Sequence, residues 1–283
     1  MDDSRGALPA GLGIQSLTDS ASLLEAAELY ARVFRYQPKD FSLNPNLLSA
    51  LAKNGGSTVG VYADATGQAP RRLVGFAYGF AGRDREGLDF HYSQAAVVDP
   101  ALQGAGVGRA LKLAQREVAL AWGQHTMRWT FDPLLARNAH FNFNSLGAVG
   151  AAHERDYYGR PGTDRLVVDW RLDAGAGLGA AGAARAAATR ALTPHGLGTT
   201  EWGLATPATE PEALGGFWIA IPSSVVAGDA NDAERAALRQ RLADTLDTMF
   251  RNGNVLLSCS RVSDDPSTAA YLAVPASALQ EQS

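Results

Sequence analysis

Apolar residues recur at helical spacing between positions 20 and 34, at Leu23, Leu24, Ala27, Tyr30, Ala31 and Phe34, and this predicts an amphipathic helix. Residues 44–54 read as a second helix with Pro45 at its first position. Short apolar or alternating runs at 13–17, 58–64, 72–82, 88–98, 126–131 and 165–172 predict strands. The turn-rich stretch ATGQAP (65–70) makes an antiparallel hairpin of the second and third. A helix carrying Val107, Ala110, Leu111, Ala114, Val118 and Ala121 on one face follows the fourth strand. Another follows the fifth, with Asp132 as its cap, Pro133 first and Gly147 as its stop. Residues 13–172 therefore read β-α-α-β-β-β-α-β-α-β, an order that departs from strict βαβ alternation.

Beyond this point the pattern changes. Residues 173–200 are rich in Ala and Gly and read as a linker with some helix in its middle. Residues 201–283 hold a strand (GFWIAIPSS), a charged amphipathic helix at 232–252 and two more strands (NVLLSCS, AAYLAV). This β-α-β-β unit is small enough to need a surface to pack on, either the first domain or a partner chain. The expected division is 1–172, 173–200 and 201–283.

Composition narrows the function classes. The chain has 283 residues, 46% hydrophobic and 19% charged, with a formal net charge of −4. It gives no basic signal for nucleic acid, and an anionic ligand must be held by local donors. No apolar run approaches the ~20 residues of a membrane span. The opening MDDSRGALPAGLG lacks the apolar run of a secretory signal, so a cytoplasmic location is expected. The single cysteine, Cys259, excludes an intrachain disulfide, and no metal is expected. Between apolar strand residues, it reads as core and not as a nucleophile.

The most informative stretch is VVDPALQGAGVGRAL (97–111), where a strand runs through alternate glycines into a helix without a Ser, Thr or Asn cap. One reading is a tight turn that binds nothing. A dinucleotide fingerprint fails, because from Gly104 and Gly106 the third glycine position is Arg109 and DPALQ intervenes after the strand. A third reading is a pyrophosphate cradle. The N–H groups of Gln103, Gly104, Ala105, Gly106, Val107, Gly108 and Arg109 open a helix, the dipole favours an anion there, and phosphate oxygens replace the missing cap. Arg109 and Lys112 add charge in the first turn.

AVVDPALQGAGVGRAL resembles motif A of the GNAT superfamily of acyl-CoA N-acyltransferases, and the element order of residues 13–172 resembles that fold. The stretches GVGRALKLAQRE, WTFDPLLARNAHFNFNSLGA and GRPGTDRLVVDW resemble a subgroup of predicted bacterial GNAT transferases with an extra C-terminal part. The resemblance implies a mixed α/β (α+β) fold with a mostly antiparallel twisted sheet, flanking helices and the added β-α-β-β unit. It also implies coenzyme A as the acyl carrier, with pyrophosphate on the glycine turn. Pantetheine would pair with main chain at Val97 and Val98, in a slot where the fourth and fifth strands splay. The N–H of Val98 would face the thioester oxygen.

The acid and base positions depart from the family. No carboxylate follows Asp89 on the strand. Counting back from Gln103 puts Tyr92 near the family's base, with Gln94 on its face by alternation and His91 and Ser93 opposite unless a bulge intervenes. Water relayed by Tyr92 or Gln94, or the His91 imidazole, is the remaining candidate. Phe143 falls where the family's thiolate-protonating tyrosine would be, and Ala136 where its asparagine would be. Asn138 and Asn142 would contact pantetheine or serve as structural amides. Tyr157, Tyr158, His140 or solvent would replace the acid. In GRPGTDRLVVDW, Arg160, Thr163 and Arg165 suit a carboxylate on the acceptor side.

Two functions compete. One is an N-acyltransferase using acetyl-CoA or succinyl-CoA on a small-molecule amine, an amino acid foremost. The other is a coenzyme-A-binding sensor or scaffold weak in catalysis. A homodimer through the C-terminal unit is compatible with both.

Overall fold

A computed structural model describes residues 8–35, 43–65, 70–173, 179–224 and 232–279. The expected turn at 66–69 lies outside the described residues. The chain divides into two compact units, Met1–Arg128 and Trp129–Ser283. This division falls between Arg128 and Trp129, within a strand.

The first unit runs β1 (Leu12–Ser16), α1 (Ser20–Phe34), α2 (Pro45–Lys53), β2 (Ser57–Ala63), β3 (Arg72–Arg83), β4 (Asp89–Val98) and α3 (Val107–Ala121). It ends with the first residues of β5 (Thr126–Phe131). Strands β1 to β4 pair in sequence order and antiparallel, and β4 then pairs in parallel with β5 at His91↔Met127 and Tyr92↔Arg128. The helix starts follow local chemistry. Asp19 accepts from the Ser22 N–H at 2.9 Å to cap α1, and Asn44 caps α2 ahead of Pro45. One face of the sheet packs Phe76, Tyr78 and Val97 against Leu23 and Leu29 of α1 and Leu48 of α2. The other packs Val59, Val61, Val74 and Ala77 against Val107 and Leu111 of α3.

The second unit continues with α4 (Ala136–His140), a π-helical turn (Phe141–Ser145), β6 (Val149–Glu154), β7 (Arg165–Arg171), α5 (Gly179–Arg190) and β8 (Ala205–Pro207). It closes with β9 (Phe217–Pro222), α6 (Asp232–Arg251), β10 (Asn254–Arg261) and β11 (Thr268–Pro275). Strands β7, β6, β10, β11, β9 and β8 lie side by side in that order, all pairs antiparallel.

The expected mixed α/β class, mostly antiparallel with an added β-α-β-β unit, is the architecture found. Two local expectations differ. The helix after β5 does not start at Pro133: Asp132 caps only a turn at Leu134, and the helix is Ala136–His140 followed by the π turn. Strand β6 is an addition to the expected strands, and within the second unit it pairs with β10 through Gly150 and Leu256. The Ala/Gly stretch holds the expected helix in its middle, α5, over residues 179–190. Cys259 is buried, and desolvation pushes its thiol far above the usual range, as expected of a core cysteine.

Candidate functional site

The end of β4 is fixed by Asp99. Its N–H donates to Val74 O at 2.8 Å, and its carboxylate pairs with Arg72 at 2.7 Å and accepts from Ala101 N–H at 3.0 Å. The Arg72 guanidinium holds this carboxyl below the usual range. A single 3-10 turn, Pro100–Leu102, follows. Gly104 and Gly106 then take φ of +89° and +84°, a region that side chains rarely enter. Gly106 is the N-cap of α3, and no side chain caps the helix. The first-turn N–H groups have no intrahelical acceptor. Gln103, Gly104 and Gly106 are exposed, and a Cβ on Gly106 would meet no atom within 4 Å. Within the turn the Gln103 N–H donates to Pro100 O at 3.4 Å and the Ala105 N–H to Leu102 O at 3.2 Å, so the donors offered to a ligand are chiefly the first-turn amides of α3, an electropositive set that fits a pyrophosphate.

The backbone of β4 carries a bulge. The register passes from Gly79↔Ser93 to Tyr78↔Ala95, leaving Gln94 as the extra residue. Strict alternation therefore fails there, and Gln94, half-buried, does not take its face from Tyr92. Past the bulge, Val97 packs toward α1 and Val98 toward α3. Because the Asp99 N–H faces β3, antiparallel alternation turns the Val97 N–H toward β3 as well. The N–H groups of Val98 and Ala96 point away from β3. Val98 thus presents the amide that an oxyanion hole needs, on the strand that leads into the uncapped helix.

The candidate base residues fall on opposite faces. Tyr92 is buried beside the rings of Phe80 and Phe90, with centroids 5.1 and 6.5 Å away. His91 faces α3 and is wholly buried. Its Nδ1 lies 2.8 Å from Gln124 Oε1 and its Nε2 2.8 Å from Ser57 Oγ. The Gln124 amide donates to Gly55 O, so Gln124 Oε1 is the acceptor and His91 carries its proton on Nδ1. Both nitrogens are engaged and burial lowers the pKa, so His91 is a structural histidine and is not carried forward as a base.

His91 belongs to a buried chain of hydrogen bonds, all within the first unit. Lys112 Nζ donates to Ser93 Oγ (2.8 Å), Ser93 to Gln115 Oε1 (2.8 Å), and Gln115 Nε2 to Ser57 Oγ (3.1 Å). Ser57 then donates to His91 Nε2. The four bonds run in a consistent direction, an arrangement that reinforces itself in a low-dielectric interior. Lys112 is therefore not on the phosphate side. It is 4% exposed, and burial pushes its ammonium down to about 7. Gly79 makes room for this chain, since a Cβ there would strike His91 Nε2 and lie 2.6 Å from Tyr92 O. Sequence reading missed the network. Its signal was available in Lys112 and Gln115, two polar residues on the sheet-facing side of α3.

The remaining candidates lie in the second unit. Phe143 is wholly buried, edge-on to Phe131 (5.9 Å) and Tyr271 (6.1 Å). It is a core residue and not a ring beside a thiol. Asn142 is buried and accepts from Trp129 Nε1 at 3.2 Å, which makes it a structural amide. Asn138 and His140 are exposed, and His140 Nδ1 lies 2.8 Å from Cys259 O. The Thr163 hydroxyl donates to Arg160 O at 2.6 Å and closes the turn after Tyr157. Arg165 is half-buried, its guanidinium 5.0 Å from the centre of the Tyr158 ring, and Arg160 is exposed.

No family model matches the sequence, and no curated protein matches it. Among solved structures the chain is similar to yncA of Salmonella typhimurium, solved with its cofactor acetyl-CoA. The identity is 20%, covering 60% of this chain and 99% of that one, with a TM-score of 0.46. It is also similar to an acetyltransferase of the GNAT family from Streptococcus pneumoniae, with 16% identity over 57% of this chain and 99% of that one and a TM-score of 0.45. Among the described residues no helix is long and apolar enough to cross a membrane.

Proposed function

We propose that the chain is a GNAT-type acyl-CoA-dependent N-acyltransferase that moves an acetyl or succinyl group to the amine of a small molecule, an amino acid foremost. The observation that carries this reading is the Val98 N–H, turned away from β3 on the strand that runs into an uncapped, glycine-opened helix N-terminus. When bound, acyl-CoA supplies an activated thioester. Amides between Gly104 and Arg109 other than that of Ala105, which is spent within the turn as is that of Gln103, hold its pyrophosphate at the positive end of α3. Main chain at Val98 orients the pantetheine, since Val97, expected to share this part, is turned to β3, and the Val98 N–H stabilises charge developing on the carbonyl oxygen. An amine needs its proton removed before attack, and with His91 engaged in the core, water relayed by Tyr92 or Gln94 takes that part. Phe143 supplies no acid, so the thiolate leaves to solvent or to an exposed group.

The coenzyme-A-binding sensor or scaffold is the second reading. It is favoured by the strand before the glycine turn, where no carboxylate follows Asp89 and the imidazole of His91 is engaged in the core. Thiol release separates the two. Acetyl-CoA or succinyl-CoA is incubated with a panel of amino acids and other amines, and free thiol is followed. Release that depends on one amine supports the transferase. Tight acyl-CoA binding with no amine-dependent release supports the scaffold.

A further inference from the structure

Helix α3 is fastened to the sheet in two ways. Toward β2 and β3 the contact is apolar, through Val107 and Leu111. Gly75 allows the close approach, since a Cβ there would lie 2.7 Å from Val107 Cγ1. Toward β4 at the bulge the ties are polar, from Lys112 and Gln115 to Ser93. Ser93 is the residue before the extra residue Gln94.

We propose that Lys112 is a positioning residue for the acyl-CoA site: through Ser93 it locks the helix that opens with the amide cradle to the strand whose bulge sets the direction of the following N–H groups. The inference rests on the acyl-CoA reading above. An apolar contact tolerates sliding, because its energy changes little over a fraction of an ångström. The 2.8 Å hydrogen bond from Lys112 to Ser93 holds only within a narrow range of distance. Rotating α3 breaks the Lys112–Ser93 and Ser93–Gln115 bonds together, and neither group finds water, since Ser93, Lys112 and Gln115 are all buried. The network therefore fixes the spacing from the helix N-terminus, which holds pyrophosphate, to the Val98 N–H, which meets the thioester. A methionine at position 112 would fill the same space and donate no hydrogen bond to Ser93. The amine adds direction, which filling alone does not give.

The test uses Lys112→Met, Ser93→Ala and the double variant in the full chain. Acetyl-CoA is titrated by calorimetry at pH 7, and folding is checked by circular dichroism. Each single variant is expected to bind acetyl-CoA about tenfold more weakly, and the double variant no more weakly than Ser93→Ala alone, because that variant already removes the Lys112–Ser93 bond together with the Ser93–Gln115 bond. With an active amine, the loss is expected in KM for acetyl-CoA with KM for the amine unchanged. Folded variants that melt lower but bind acetyl-CoA like the wild type would overturn the proposal and leave a purely structural network. If Lys112→Met does not fold, Ser93→Ala alone decides. A wild-type chain that does not bind acetyl-CoA refutes the acyl-CoA reading itself, a result distinct from any behaviour of the variants.

Discussion

Lys112 gives the sharpest prediction about stability. Burial pushes its pKa in the folded chain to about 7, from an ordinary value of 10.5. Between these values the unfolded chain holds a proton that the folded chain has given up. Stability therefore rises with pH across that window, and the penalty is greatest below about pH 7. At pH 7 half the folded molecules hold the proton, so the slope is about half of ~1.4 kcal/mol per pH unit, and it approaches the full value above pH 8. Integrated from pH 7 to pH 9, the gain is about 2 kcal/mol, or several degrees in melting temperature for a unit of this size. Other titrating groups contribute as well, so the quantity to measure is the difference between wild type and Lys112→Met at each pH. Urea unfolding at pH 7, 8 and 9 is the assay. The wild type should gain stability relative to the variant by about 2 kcal/mol over this range. A constant difference across the three pH values would refute the buried-amine argument and mean that Lys112 keeps its proton when folded.

Four further outcomes are expected. On the acid side, the neutral His91 makes the wild type lose stability as pH falls below about 6.5, since the unfolded imidazole takes up a proton that the folded one refuses; a His91→Gln variant should show a weaker acid limb in the same unfolding series. Gly79→Ala should cost roughly 2–4 kcal/mol, because the new methyl meets both His91 and the Tyr92 carbonyl; a variant within 0.5 kcal/mol of wild type, on the scale of neutral surface changes, would contradict the seating of the imidazole on β3. Gly106→Ala should cost about 1–2 kcal/mol for its positive φ alone, with no steric term, and calorimetry should show weaker acetyl-CoA binding as the cradle distorts. Phe143→Tyr should lower stability by about 1–3 kcal/mol by burying a hydroxyl between Phe131 and Tyr271; thiol-release rates above those of wild type would instead place the ring at the reacting sulfur.

Residues with a strong local constraint were legible in the sequence. Gly104 and Gly106 adopt positive φ, which other residues reach only with strain, so the turn shows as alternate glycines. Pro45 after Asn44 marks the start of α2 in the same way. Features set by distant partners were hidden. Phe143 is a core residue because Tyr271, on β11, packs against it, and nothing near position 143 announces that strand. The bulge at Gln94 is invisible because HYSQAAVV still reads as a regular strand, and the extra residue shows only in the pairing with β3. Strand β6 is too rich in Ala and Gly to raise a β signal, and its pairing with β7 and β10 decides it. In α3, the predicted stripe through Val107, Ala110 and Leu111 is found, but burial extends to Lys112, Gln115 and Ala119, where polar groups of β4 meet the helix.

The central claim is that the glycine-opened end of α3 holds the pyrophosphate of an acyl-CoA. Thermal unfolding with free CoA, acetyl-CoA and succinyl-CoA in large excess tests it most directly. A ligand at about 100 times its dissociation constant adds about 2.7 kcal/mol, a shift of several degrees. The prediction is a rise with all three, largest for the true acyl donor, and a smaller rise in Gly106→Ala. Unchanged melting with every one of them would contradict the cradle and leave the glycine turn as a turn.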